Sequence, residues 1–178
     1  MKLAEDPDVS SALEEIQTLT EQTIQDLRRV VRALRPLYLD DLGLVAALRM
    51  LVQETSVSCG IPIEFINTGI EKRLPPENEL AFYRMAQEGL SNIFRHAQAS
   101  KATLVIAYTP VEIQLTIEDD GCGFAVPESP AEFAPNGNFG LLGIHERTEL
   151  IGAQFRIQSI LEEGTILKVV LHIKNEIL

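Results

Sequence analysis

The stretch IEDDGCGF, residues 117–124, carries the reading of the chain. It closes the longer run VEIQLTIED (111–119), where apolar and polar residues alternate at the period of two that a half-buried strand requires. Two carboxylates, Asp119 and Asp120, stand at the end of that run. Gly121 and Gly123 follow one residue apart, and the proline-rich AVPESPAEFAPN (125–136) then leads to a second glycine cluster, GNFGLLGI (137–144). A strand ending in Asp119 offers an acceptor for an exocyclic amine, and glycines beside it let the backbone approach a flat ring closely. Taken alone, the stretch reads equally well as a tight turn with an acidic flank.

The gross composition narrows the choice. A chain of 178 residues, 46% hydrophobic, has room for one full domain with a real core plus an appendage. Lys and Arg number 15 against 26 Asp and Glu, a net charge of −11, which opposes nucleic-acid binding through bulk electrostatics; any phosphate site must be local. Cys59 and Cys122 suggest neither a disulfide framework nor a zinc knuckle, so a reducing compartment is expected. No apolar run approaches the roughly 18 residues that span a bilayer, and the start is acidic rather than leader-like. A soluble, cytoplasmic chain without membrane contact of its own is expected, with any anchoring of a longer parent left open.

Toward the N-terminus, Leu13, Ile16, Thr20, Thr23, Leu27, Val30 and Leu34 step by three and four, the seam of a coiled coil or bundle helix that Pro36 stops. Leu19, Ile24 and Val31 widen the stripe, which suits a bundle completed by another chain. Asp40 or Asp41 is expected to cap a second helix over 42–58, ended by Gly60 and Pro62. IPIEFI (61–66) reads as a strand, Pro75 and Pro76 open a third helix over 77–97, and KATLVIAY and VEIQLTIED form two strands around Thr109 and Pro110. A helix over 139–151 precedes the hairpin QFRIQSI and TILKVVLHI. Helices and strands mixed without regular alternation predict an α+β two-layer sandwich preceded by a long N-terminal helix.

Two further elements join the opening stretch. Glu88, Asn92 and His96 are spaced i, i+4, i+8 and so share one face of the third helix. An Asn amide oxygen is a hard neutral ligand suited to Mg²⁺ carrying nucleotide phosphates. Gly137, Gly140 and Gly143 stand at a helix start, where free N–H groups and the helix dipole suit phosphate oxygens.

QEGLSNIFRHA resembles the N-box, DDGCGF the D-x-G-x-G adenine box, GLLGI the second glycine box and EGTILKVVL the closing G-T box of the GHKL ATP-binding superfamily: gyrase, the heat-shock chaperone, histidine kinases and MutL. The match covers roughly residues 60–173. Upstream, LRRVVRALRPLYLDDLGLVAALRMLV resembles the end of the dimerisation helices and the linker of sensor histidine kinases that signal to response regulators of the NarL/LuxR type.

The resemblance implies ATP and Mg²⁺ as ligands. Asp119 would bond the adenine amine, Gly121 and Gly123 would shape the base pocket, and Thr165 would lie near it. Asn92 would hold Mg²⁺, Glu88 would act as base or orienter of the nucleophile, and His96, standing where many sensor kinases have a second Asn, would contact phosphate. Residues 125–139 would form the ATP lid with Gly137 and Gly140 as hinges, and Gly140, Leu141 and Gly143 would turn their amides to the phosphates. Arg95 would help with phosphate charge and Lys101 would be solvated, while His145 and Arg147 are left undecided. His96, His145 and His172 do not stand in the E-x-H-D context of a phosphoacceptor. The expected organisation is therefore a second dimerisation helix and linker (1–39), homodimeric in the parent, and a catalytic domain (40–178). The alternative is a stand-alone GHKL serine kinase of the anti-sigma-factor type, or an ATPase switch.

Overall fold

A computed structural model describes residues 37–173, except 128, 134, 136 and 138, together with 13, 16–20 and 22. The chain divides into two units, Met1–Leu37 and Tyr38–Leu178. In the first, the described residues are helical, Thr20 donates its hydroxyl to the Ile16 carbonyl (2.7 Å), and Leu13, Ile16 and Leu19 are exposed. Thr23, Leu27, Val30 and Leu34 of the expected seam lie outside the described residues.

The second unit is the expected two-layer α+β sandwich. Its elements in chain order are α1 (Leu37–Leu42), α2 (Leu44–Cys59), β1 (Ile63–Thr68), α3 (Pro76–Asn92) continued by a π-helical turn (Ile93–Ala97), β2 (Ala102–Tyr108), β3 (Glu112–Asp119), a 3₁₀ turn (Pro130–Glu132), α4 (Phe139–Leu150), β4 (Gln154–Ile160) and β5 (Gly164–His172). The five strands are ordered β1-β2-β3-β5-β4. β1 and β2 pair in parallel across the α3 crossover, and the other neighbours are antiparallel.

One expectation is corrected. Neither Asp40 nor Asp41 caps the second helix: α1 ends at Leu42, and α2 starts afresh at Gly43 with no side-chain cap. Gly43 has φ 84°, a conformation that costs a residue with a Cβ, so the break falls there and the acids stay inside α1.

Alternation decides the core. In β2, Ala102, Leu104, Ile106 and Tyr108 are buried, and in β3 so are Ile113, Leu115, Ile117 and Asp119; the residues between them are at most half-buried. This inner face meets Leu44 and Leu48 of α2, Phe82, Met85 and Leu90 of α3 and Ile144 of α4. Full burial of each such large side chain contributes about 1.5–3 kcal/mol. Asp119 lies in phase with the core residues, so the sheet itself turns its carboxylate toward the helices.

An ion pair with one buried partner ties α1 to α3. Glu79, 2% exposed, accepts from Arg73 Nε (2.9 Å), Arg73 Nη2 (3.2 Å) and the Leu74 N–H (3.1 Å), while the same Nη2 donates to the Asp40 carbonyl (3.1 Å). Tyr38 and Tyr83 add a hydroxyl–hydroxyl hydrogen bond of 3.0 Å between the same two helices. A buried carboxylate stripped of its counter-charge destabilises strongly, although the partly exposed Arg73 moderates the loss here. Arg73→Met should therefore lower unfolding free energy by about 2–3 kcal/mol in urea melts. Adding Glu79→Gln should return much of it, whereas a double variant no more stable than the single one would show that the charge pairing is not the source.

Candidate functional site

A cavity of about 520 Å³ opens at the end of the sheet where β3 finishes, between the sheet and the helices α3 and α4. Its floor is the inner face of three adjacent strands: Ile117 and Asp119 of β3, Leu167 and Thr165 of β5, Ile157 of β4. Register brings these together, because Asp119 pairs with Thr165, Ile117 with Leu167, and Leu167 with Ile157.

Glu88 and Asn92 of α3, with Arg95 and His96 of the π-helical turn, form one wall. The turn breaks the strict i, i+4, i+8 geometry of a straight α-helix, yet Glu88, Asn92 and His96 all reach the cavity. The turn also frees its last carbonyls to bind the next loop: Ala97 O accepts the Cys122 N–H (2.7 Å) and His96 O the Cys122 thiol (3.3 Å). Gly140, at the start of α4, completes the wall. A methyl group there would run into Glu88 Oε1 and lie 3.2 Å from Asn92 Oδ1, so these two oxygen donors and a helix N-terminus converge on one point.

The two neighbouring acids do different work. Asp120 points away from the cavity and is held by Ser100 N–H (2.8 Å), Ser100 Oγ (2.6 Å) and Lys101 N–H (3.0 Å). The Ser100 hydroxyl, followed by the backbone donors, lowers its pKa to about 2. Asp119, 8% exposed, accepts the Gly121 N–H (2.9 Å) and otherwise faces the cavity. Burial raises its pKa, only partly opposed by hydrogen bonds from the Gly121 and Thr165 backbone. A buried carboxylate with free lone pairs above the apolar side chains of Ile117, Ile157 and Leu167 suits the edge of a flat, amine-bearing ring.

Glycine is required at two points in this turn. Gly123 has φ 58°, and a Cβ there would meet the Ile160 carbonyl; at Gly121 it would meet the Ala97 carbonyl. The β4–β5 hairpin is tied to the same loop through Ser159, whose hydroxyl accepts the Phe124 N–H (2.9 Å) and bonds Thr165 Oγ1 (2.9 Å).

Of the residues expected from sequence, Glu88, Asn92, Arg95, His96, Asp119, Gly123, Gly137, Gly140, Leu141 and Thr165 line the cavity, and Gly121 and Gly143 do not. Gly121 supports Asp119 from behind. Gly143 instead lies against Arg147, whose Nη1 donates to its carbonyl (2.6 Å). Lys101 is exposed and His145 packs away from the cavity. Sequence reasoning passed over Ser159, Phe124 and Ile157. Alternation with Phe155 and Ile157 already places Ser159 on the inner face, but its partners come from two other segments. Cys59 and Cys122 are free, and no helix among the described residues is long and apolar enough to cross a membrane.

The profile of a family described as histidine kinase-, DNA gyrase B-, and HSP90-like ATPase matches residues 77–176. The chain is 31% identical over 178 residues to the signal transduction histidine-protein kinase/phosphatase DegS of Brevibacillus brevis, covering 98% of this chain and 45% of that protein. With DegS of Bacillus subtilis (strain 168) the identity is 34% over 162 residues, 83% of this chain and 42% of the relative. The chain thus spans less than half the length of these curated relatives. The Erythrobacter litoralis EL346 blue-light activated histidine kinase shares the fold, with a TM-score of 0.62 at 21% identity over 87% of this chain and 51% of that one.

Because Asp120 is held below its unfolded value of 3.8, it contributes stability above that pH, and the contribution is lost as pH falls toward 2. Asp120→Asn should lower the melting temperature by a few degrees at neutral pH. The gap between variant and wild type should close on acidification toward pH 2, which a series of thermal melts would follow.

Proposed function

The chain belongs to the histidine kinase-, DNA gyrase B- and HSP90-like ATPase family, and from that premise we propose that its cavity binds Mg-ATP for phosphoryl transfer to a histidine. The observation that carries the reading is the convergence at one cavity of a buried carboxylate over an apolar floor and, at the far wall, of Asn92 and Glu88 on the first turn of α4. Asp119 accepts from the adenine amine. Asn92 would offer its amide oxygen to Mg²⁺, whose charge would neutralise phosphate oxygens that an acidic chain could not attract by bulk electrostatics.

Transfer of the γ-phosphoryl group needs little covalent chemistry from the protein and much positioning. The N–H groups at the start of α4 and the Arg95 guanidinium supply positive potential at the phosphate end. Glu88 orients the incoming nucleophile or takes its proton, a role that its position on the cavity wall supports. The acceptor is a histidine other than His96, His145 and His172, and it relays the group to an aspartate of a NarL/LuxR-type regulator. Residues 1–39 serve as a dimerisation helix and a linker whose last residues, Tyr38 and Leu39, join the packed domain, a role that the exposure of Leu13, Ile16 and Leu19 on a helix supports.

Calorimetry with Mg-ATP and with adenosine tests the assignments. Asp119→Asn should weaken both ligands by about ten- to a hundredfold, the value of one hydrogen bond to a charged group. Asn92→Ala should weaken Mg-ATP far more than adenosine. Since ionised Asp119 is the acceptor and burial raises its pKa, adenosine affinity should fall on acidification at a pH above the ordinary 3.8, and Asp119→Asn should flatten that profile. Unchanged affinity in Asp119→Asn would remove the adenine assignment.

The phosphotransfer step has its own test. The chain alone should bind Mg-ATP without labelling itself from γ-labelled ATP, and an acid-labile label should appear on an added longer partner that bears the accepting histidine but is inactivated at the position of Asn92. Acid-stable label on the chain itself would favour a serine kinase.

A further inference from the structure

The connection from β3 to α4 is held at a point that the nucleotide cavity does not explain. Phe133 lies within it, 3% exposed, in the same hydrophobic cluster as Leu141, Ile144 and Phe155. The 3₁₀ turn delivers it there, closed by Glu132 N–H to Ser129 O (3.0 Å) and Phe133 N–H to Pro130 O (3.1 Å). The Phe133 ring meets His145 of α4 edge to face, with centroids 6.4 Å apart and planes at 86°. His145 also rests on Phe155 of β4, with centroids 6.4 Å apart, and its Nε2 lies 3.7 Å from Glu149 Oε1. None of the three rings lines the cavity. Ring pairs at such distances add attraction beyond their buried area.

We propose that Phe133 and His145 are positioning residues, an aromatic pin that presets Gly137, Phe139 and Gly140 as the wall facing the polyphosphate. The inference rests on the reading of the cavity as an Mg-ATP site. Its physical basis is loop closure: the pin shortens the closed loop that ends at Phe139 from the fifteen residues separating it from Phe124 to the six separating it from Phe133. The entropy of closure grows with the logarithm of loop length, so the pin is worth on the order of fourfold in affinity for a ligand that needs that wall. The base end, built on Asp119, Gly123 and Thr165, does not depend on it.

The test compares Phe133→Ala and His145→Ala with wild type in the intact chain, by calorimetry against Mg-ATP and against adenosine. Both variants should bind Mg-ATP roughly fourfold more weakly and adenosine within about twofold of wild type. Phe133→Leu, which restores an apolar anchor, should recover most of the loss. Limited proteolysis with a glutamate-specific protease, which has Glu132 as a site, should cut Phe133→Ala faster than wild type. Equal weakening of the two ligands, or no weakening of Mg-ATP, would overturn the pin. If Phe133→Ala does not fold by circular dichroism, His145→Ala decides on the same criteria. Wild type that binds neither ligand would overturn the nucleotide reading and the pin with it, whereas wild-type binding matched by both variants would overturn the pin alone.

Discussion

The two-residue period of β3 is the constraint on which the site depends. Once Ile113, Leu115 and Ile117 face the helices, Asp119 must face them too, and Asp120 must face away. A register slip of one residue would exchange the acids, placing the one that Ser100 and Lys101 hold against the core and stranding the other in solvent. The pairing of β3 with β5 then sets Thr165 beside Asp119 and Leu167 beside Ile117, and β4 adds Ile157. Three strands thereby make one floor: apolar where a ring would lie and charged at its edge.

The wall opposite depends on a local departure from helical regularity. The π-helical turn at the end of α3 leaves the carbonyls of His96 and Ala97 available, and Cys122 binds both. The loop after β3 is thus anchored to the helix that carries Glu88 and Asn92, and the distance between carboxylate and amide is fixed by backbone contacts rather than by long side chains. Gly121 permits that approach because a Cβ would meet Ala97. The other end of the loop is held differently, through Phe133 and the ring of His145.

Electrostatics divide the cavity in the same way. Asp119 sits where burial disfavours its charge, which sharpens its need for a donor, while Asn92 and the amides at the start of α4 carry no net charge that phosphate would have to overcome. In a chain of net charge −11 this locality matters, since the mean field repels any anionic ligand and only short-range donors can hold one. Far from the cavity, Arg73 and Glu79 fix α1 against α3, so the short helix that leads into the domain is part of its packed body.

The sequence by itself determined the elements whose pattern is local. Alternation located β2 and β3 to within a residue, prolines marked the start of α3, and the hairpin after α4 was legible from its two apolar runs. It also set Asp119 at the end of β3, where the phase of Ile113, Leu115 and Ile117 puts Asp119 rather than Asp120 on the inner face. Tertiary structure decided what depends on segments far apart in the chain. The break at Gly43, where a capping aspartate was expected, follows from a backbone conformation that composition does not encode. The separation of Gly140, which faces Glu88 and Asn92, from Gly143, which turns to Arg147, reflects how α4 rotates onto the sheet. Ser159 gains its place only when β4 lies beside β5 and the loop after β3 passes over both. Such contacts are set by packing between elements, and a periodicity read along one element carries no information about them.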